Sequence, residues 1–422
     1  MKKTKIVATI SDKNCTKEFI EDLYANGLNV VRLNTAHQAP ADALKVMKIV
    51  RQVSDKIAIL IDTKGPEIRT TDCGEGISFS KGDSVLIKGN PAQVSTKDCL
   101  YVNYRGFVKE VSVGSQILID DGYILLTVIE KHDGAILCRF LTDSVVQSRK
   151  SVNVPNANFD LPSVNEKDKE FIQFAIDHNI DFIAHSFVRH KEDVQAIQEI
   201  LDRSGSEIKI IAKIENQKGV DNIEEILDHA YGIMVARGDL SVEIPFEKTP
   251  GVQKRLIEIC LARRKPVIIA TQMLHSMIHN PRPTRAEVSD IAGAVYSQAD
   301  ALMLSGETAF GKYPVEALAT MSKIAAEVEK SKEDFLDINT VVLQCEISAF
   351  LTKAAVEASV NLKARAIIAD TISGRTIRNL SGYRGLKPIY AICYSNRTMR
   401  ELALTYGAYP KYMESRPTSH EF

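Results

Sequence analysis

The sequence predicts an α/β protein: a closed (β/α)8 barrel, a small β-barrel domain inserted into it, and a further α/β domain that reads as incomplete. Three observations predict this. Eight β-branched apolar runs recur along the chain, a charged stretch of helical period follows all but one of them, and short alternating strands replace the helix after the third. At 422 residues the chain exceeds the size at which one core keeps growing, so two or three domains are expected.

The apolar runs are Lys5–Ile10, Leu28–Leu33, Ile57–Ile61, Asp181–Ala184, Ile208–Ala212, Gly232–Val235, Pro266–Ala270 and Ala301–Leu304. Each is continuous rather than alternating, as in a parallel sheet covered on both faces. Helical periodicity follows at Cys15–Ala25, Ala41–Ser54, Lys191–Ser204, Lys248–Arg264 and Val315–Lys330. Eight such units fit a closed barrel.

After Asp62-Thr63-Lys64-Gly65-Pro66 the pattern changes. GISFSKGDSVLIKGN, GSQILIDDGYILLTVIE and KHDGAILCRFLTD read as hairpins with Asp-Gly turns, and Glu166–Asn179 resumes the helical pattern. The expected division is barrel at 1–66 and 152–337, insert at 67–151, and a last domain at 338–422. In that last domain Glu346–Asn361 reads as a helix, Ala364–Ala369 and Pro388–Cys393 as strands, and Thr371–Thr376 as a tight loop into another helix. Glu414–Phe422 reads as a loop or helix start with no strand after it. A sheet of so few strands is either truncated or covered by neighbours.

Composition excludes several classes. Lys and Arg number 53 against 54 Asp and Glu, a formal charge of −1, so bulk charge favours neither nucleic acid nor an anionic membrane. No apolar run approaches the ~20 residues of a membrane span. The apolar stretch after Lys2-Lys3 breaks at Ser11-Asp12 and reads as a strand rather than a signal peptide. Seven scattered cysteines without a CxxC pair fit buried thiols in a reducing cytoplasm, not disulfides or zinc.

Active sites of such barrels lie at the C-terminal ends of the strands. In order, those ends deliver Arg32 and Asn34; Asp62, Thr63 and Lys64; Ser186; Lys213 and Glu215; Arg237 and Asp239; Thr271; Ser305 and Glu307. Glu215 and Asp239 are oxygen donors suited to Mg2+, and Arg32 and Lys213 are cations suited to a phosphoryl group. That is equipment for phosphoryl transfer, which depends on positioning and charge neutralisation. No His stands beside a Ser or Cys nucleophile to support acyl transfer. Singly, each residue is more simply a solvated loop charge, and Arg32 paired with Asp62 would only stiffen the barrel mouth. Seven strand ends together favour a shared site. The loop TISGRT (Thr371, Ser373, Gly374, Arg375, Thr376) is equally a phosphate nest or a plain N-cap.

The motifs resemble the pyruvate kinase family along nearly the whole chain. They are KTKIVATI, NVVRLN (Asn29–Asn34), DTKGPEIRT (Asp62–Thr70), DLPSVNEKD (Asp160–Asp168), IAKIEN (Ile211–Asn216), MVARGDL (Met234–Leu240), ATQMLHSM (Ala270–Met277), PRPTRAEVSD (Pro281–Asp290) and MLSGETAFGKYP (Met303–Pro314). The resemblance implies phosphoryl transfer from phosphoenolpyruvate to ADP, giving pyruvate and ATP, the last step of glycolysis. It implies Mg2+ (or Mn2+) on Glu215 and Asp239, and K+ on Asn34, Asp62 and Thr63. Lys213 and Arg32 would hold the phosphoryl group, and Gly238, Asp239 and Thr271 the substrate carboxylate. Thr271 and Ser305 would serve the proton route to the enolate carbon, and His37, Arg69 and Lys150 would face the nucleotide. The insert would act as a lid that excludes water. By the same resemblance the enzyme is cytoplasmic and a homotetramer or homodimer, and the TISGRT loop would take a phosphorylated effector.

Four positions depart from the family pattern: Ala36 lacks a hydroxyl that ligates the monovalent ion, Ser241 and Ser151 replace glycines, and His185 replaces a small residue. Family members also continue for about fifty residues, with a helix and two strands that complete the last domain. A shortened form with an intact active site is therefore expected, with effector control and tetramer contacts in question. Two rivals remain. A barrel lyase or aldolase acting on pyruvate-type enolates would not need the lid, Lys213 or the monovalent-cation set. A non-catalytic relative would have lost Lys213, Glu215 or Asp239.

Overall fold

A computed structural model describes residues 1–36, 38–155, 157–331 and 347–414. The eight apolar runs become the strands β1 (Lys5–Thr9), β2 (Val30–Asn34), β3 (Ala58–Asp62), β4 (Phe182–His185), β5 (Lys209–Ile214), β6 (Gly232–Ala236), β7 (Val267–Ala270) and β8 (Ala301–Leu304). All pair in parallel and close into a ring in chain order, β1 meeting β8. Alternate side chains explain why the runs are apolar on both faces. Val7, Val30, Leu60, Phe182, Ile211, Met234 and Ile268 fill the ring, while Ile6, Val31, Ile59, Ile183 and Ile210 meet the surrounding helices.

The helices begin where the sequence supplies caps. Thr16 Oγ1 accepts from the Phe19 amide, and Asn165 and Thr284 form capping boxes with Asp168 and Glu287. Asp168 reaches further: its carboxylate also accepts from the Lys64 and Gly65 amides at 2.8 and 3.2 Å, pinning the loop after β3 to the helix Glu166–Asp177.

The lid's strands form a six-stranded sheet and a separate two-stranded pair around their own core of Phe107, Phe140, Leu126 and Val85. The Asp-Gly hairpins appear as Gln116–Ile119 with Ile124–His132, and Ile124–His132 with Ala135–Phe140. The segment GISFSKGDSVLIKGN does not fold on itself. Ile77–Phe79 pairs with Ser144–Val146, and Ser84–Gly89 with Ala135–Phe140, because the turn at Gly82 (φ 96°) hands the chain to a distant partner.

The last domain carries three parallel strands: β9 (Ile367–Thr371), β10 (Ile389–Cys393) and β11 (Ala408–Tyr412). The third was not expected. The boundary expected at 337/338 lies outside the described residues. This domain docks under the barrel. Ala403 and Leu404 join the side chains inside the ring; Arg384 pairs with Asp300 at the start of β8 (2.8 and 3.0 Å), and Arg400 with Asp181 at the start of β4 (2.5 Å). Lys5, fully enclosed, donates to the Ala408 carbonyl and lies 4.8 Å above the Tyr409 ring. Among the described residues no helix is long and apolar enough to cross a membrane.

Candidate active site

Ring closure brings the strand ends together, and Arg32, Asp62, Thr63, Ser186, Lys213 and Glu215 meet as one buried network. Asp62, at the end of β3, is its hub. Its Oδ2 accepts from Arg32 Nε at 2.6 Å, and its Oδ1 lies 3.1 Å from Lys213 Nζ. Arg32 also donates to Thr9 Oγ1 at 2.9 Å. Lys213 Nζ stands 3.0 Å from Glu215 Oε1 and donates to Ser186 Oγ at 2.7 Å, and Ser186 in turn donates to the Thr63 carbonyl at 2.6 Å. Arg32 thus does pair with Asp62, but inside a larger network.

Burial sets the electrostatics. It opposes the charge on Asp62, yet Arg32 and Lys213 outweigh it and hold the carboxyl below the usual range. Lys213 is likewise opposed by burial, and the Asp62 and Glu215 charges carry it well above an ordinary lysine. Glu215 goes the other way: burial, then the Asp239 and Asp62 charges, push it up to about 7 against the pull of Lys213. Asp239 is also pushed up, by burial first and then by Glu67 and Asp121 of the lid. Two adjacent carboxyl groups whose charged forms are both disfavoured form a site that a hard cation would satisfy. Among the described residues no three His, Cys, Asp or Glu side chains cluster to hold a metal. An ion on this pair would complete its shell with water and substrate oxygens, as Mg2+ does.

The ends of β6 and β7 are locked to each other. Thr271 (φ 68°) and Gln272 (φ 55°) are both left-handed, a costly conformation for a β-branched residue. Arg237 holds it by donating to the Thr271 carbonyl at 2.8 Å while paired with Asp290 at 2.6 Å. The Thr271 hydroxyl accepts from the Gly238 amide at 2.7 Å and donates to the Ala270 carbonyl at 2.6 Å. Glu307 accepts from the Leu274 and Ser305 amides at 3.0 and 2.8 Å, so Thr271 and Ser305 sit on loops fastened together.

Asn34 and Asp62 are register partners across β2 and β3, with Thr63 following, and Asn34 Oδ1 accepts from the Ala36 amide at 3.2 Å. Arg69 and Lys150 meet at the lid's base. Arg69 pairs with both oxygens of Glu67 at 2.7 Å and donates to the Arg149 carbonyl at 2.6 Å; Lys150 pairs with Asp120 at 2.9 Å. His37 lies outside the described residues. In the TISGRT loop Gly374 (φ 78°) donates its amide to Thr371 Oγ1 at 2.9 Å, while Ser373, Arg375 and Thr376 are exposed. A cleft of about 250 Å³ separates lid from barrel, lined by Glu67, Val152, Phe187, Asn216, Asp239 and Glu243.

Sequence reasoning assigned no role to Ser186, Glu307 or Asp168. The first two were visible as polar strand ends. What they hold is a tertiary fact without a local signal.

Comparison with known proteins places the chain in a family. Residues 1–318 match the family model for the pyruvate kinase barrel domain, and 350–422 that for the pyruvate kinase alpha/beta domain. A pyruvate kinase of Borreliella burgdorferi is 50% identical over 98% of this chain and 87% of its own length. One from Staphylococcus epidermidis is 43% identical over 99% of this chain and 73% of its own. The crystal structure of a pyruvate kinase from Cryptosporidium parvum superposes with a TM-score of 0.94 at 35% identity, covering 100% of this chain and 89% of that one. With both family models placed in order on the barrel and the domain beneath it, the chain belongs to the pyruvate kinase family.

Proposed function

We propose that the chain transfers the phosphoryl group of phosphoenolpyruvate to ADP through the residues gathered at the barrel mouth. The observation that carries this is the fixed ammonium of Lys213, held by Asp62, Glu215 and Ser186 within 3.1 Å. In this reading Lys213 and Arg32, already charged and desolvated, receive the phosphoryl oxygens without reorganising, which favours the charge distribution of transfer. The P–O bond to the enolate oxygen breaks as one to the terminal phosphate of ADP forms. The enolate then takes a proton at carbon by a route through Thr271 and Ser305. The Gly238 and Asp239 amides and the Thr271 hydroxyl take the substrate carboxylate.

Glu215 and Asp239 would hold Mg2+ (or Mn2+), which supplies neutralisation of the phosphoryl and enolate oxygens. Asn34, Asp62 and Thr63 would hold K+, and His37, Arg69 and Lys150 the nucleotide. Residues 67–151 act as the lid, the barrel spans 1–66 and 152–337, and 338–422 form the last domain. The TISGRT loop would take a phosphorylated effector. Self-association rests on the helix Ile347–Asn361, which exposes Ile347, Phe350 and Leu351. A cytoplasmic location completes the reading.

The test is pyruvate formed from phosphoenolpyruvate and ADP with Mg2+, in K+ and in a large organic cation. Turnover that rises with K+ supports the reaction and the Asn34–Asp62–Thr63 site. Turnover indifferent to K+ keeps the reaction and removes that site. No turnover by folded protein overturns the catalytic reading.

A further inference from the structure

We propose that Ser151 is a positioning residue of the lid, whose hydroxyl locks the turn Asp120–Asp121–Gly122 over the barrel mouth. The turn is unusual. Asp120 and Asp121 have φ of 55° and 54°, followed by Gly122 at 85°, so three successive residues are left-handed and two of them are not glycine. Such a run needs outside support, and residue 151 supplies it. The Asp120 amide donates to the Ser151 carbonyl at 3.0 Å, which any residue could accept. The Asp121 amide donates to Ser151 Oγ at 3.1 Å, and that hydroxyl donates back to the Asp121 carboxylate at 3.1 Å, which only a hydroxyl does.

What is locked faces the chemistry. Lys150, next to Ser151 in the chain, pairs with Asp120 at 2.9 Å. A Cβ built on Gly122 would lie 3.9 Å from Val242, and Asn153, paired with the strand before the turn, donates to Glu243 at 2.8 Å, so the turn lies beside the helix Arg237–Glu243 that carries Asp239. One hydroxyl therefore sets both a lid carboxylate and the lysine placed toward the nucleotide. The kinetic part of this inference rests on the proposed phosphoryl transfer; the structural part does not.

The test uses an absence in the sequence. The chain has no tryptophan, and Tyr123 is 81% exposed at the turn, so Tyr123→Trp gives a single reporter. In that background Ser151→Ala and Ser151→Thr are compared by amide exchange at 120–123, by Trp emission on adding Mg2+ and ADP, and by steady-state kinetics. Loss of the two hydrogen bonds in Ser151→Ala should speed exchange at the turn about five-fold, abolish or shift the emission response, and raise KM for ADP about three- to ten-fold at nearly constant kcat. Ser151→Thr should restore all three. Unchanged exchange in Ser151→Ala, or changes that threonine does not reverse, would overturn the proposal. If the parent shows no turnover, the phosphoryl-transfer reading fails, while exchange and emission still decide the lock.

Discussion

Replacing Lys213 by Met removes a charge while keeping the length of the stem. The ammonium lies 3.0 Å from Glu215 and 3.1 Å from Asp62, so at an effective dielectric of ~20 each contact is worth about 5 kcal/mol of gross attraction. Desolvation cancels much of that in the intact network, but breaking it leaves buried charge uncompensated, at a cost of about 3–5 kcal/mol. The lower end applies. Arg32 still holds Asp62, and Glu215, already pushed up to about 7, can take a proton. The stability loss should therefore shrink as pH falls from 8 to 6 and also shrink on adding Mg2+. Catalysis has no such relief: a donor aimed at developing charge is worth about 10²–10³ in kcat, or about 3–4 kcal/mol. Coupled pyruvate assays and thermal unfolding with and without Mg2+ measure both effects. A variant that keeps turnover within about ten-fold of the parent refutes the placement of this charge on the phosphoryl group.

Other outcomes follow from the same contacts. Leu404→Ala empties a fully buried position inside the ring and should cost about 2–5 kcal/mol, read as a lower unfolding midpoint. Lys5 is held by burial at about 7, well below an ordinary lysine; the unfolded chain binds its proton across roughly pH 7 to 10.5 and the folded chain does not, so its burial penalty fades as pH rises. Lys5→Met should then be more stable than the parent near neutral pH, by an amount that diminishes toward pH 10.5 in urea titrations. Arg69→Met should raise KM for ADP about ten-fold while leaving KM for phosphoenolpyruvate unchanged, measured with each substrate varied in turn.

The barrel was legible because its strands are buried on both faces and so read as unbroken apolar runs, and because a closed ring gathers strand ends wherever they fall in the chain. The strand Ala408–Tyr412 was not, since Pro410 interrupts it. At the edge of the sheet, a missing amide hydrogen costs no ladder bond, and Ala391 still lies beside Pro410 in register. The lid segment before Ser84 failed for a different reason: alternation marks a strand but not its partner, and Ser84–Gly89 finds one more than forty positions away. In the site, side-chain types announced themselves, whereas the tethers of Ser186, Asp168 and Glu307 depend on loops that only the fold brings near.

The ion pairs of Asp181 and Asp300 have a mechanical consequence. They sit at the starts of β4 and β8, four places apart in a ring of eight, so the last domain is bolted to the barrel at diametrically opposite points. Further contacts lie off the line joining them, Lys5 to the Ala408 carbonyl at β1 and Lys209 to Glu401 at β5, so the domain is held against tilting as well as sliding. Leu404 is fully buried in the same core as Phe182, Met234 and Ile268, an apolar plug between domain and ring. Because a close-packed interior transmits strain rather than absorbing it, a load on the lower domain is carried into the core inside the ring.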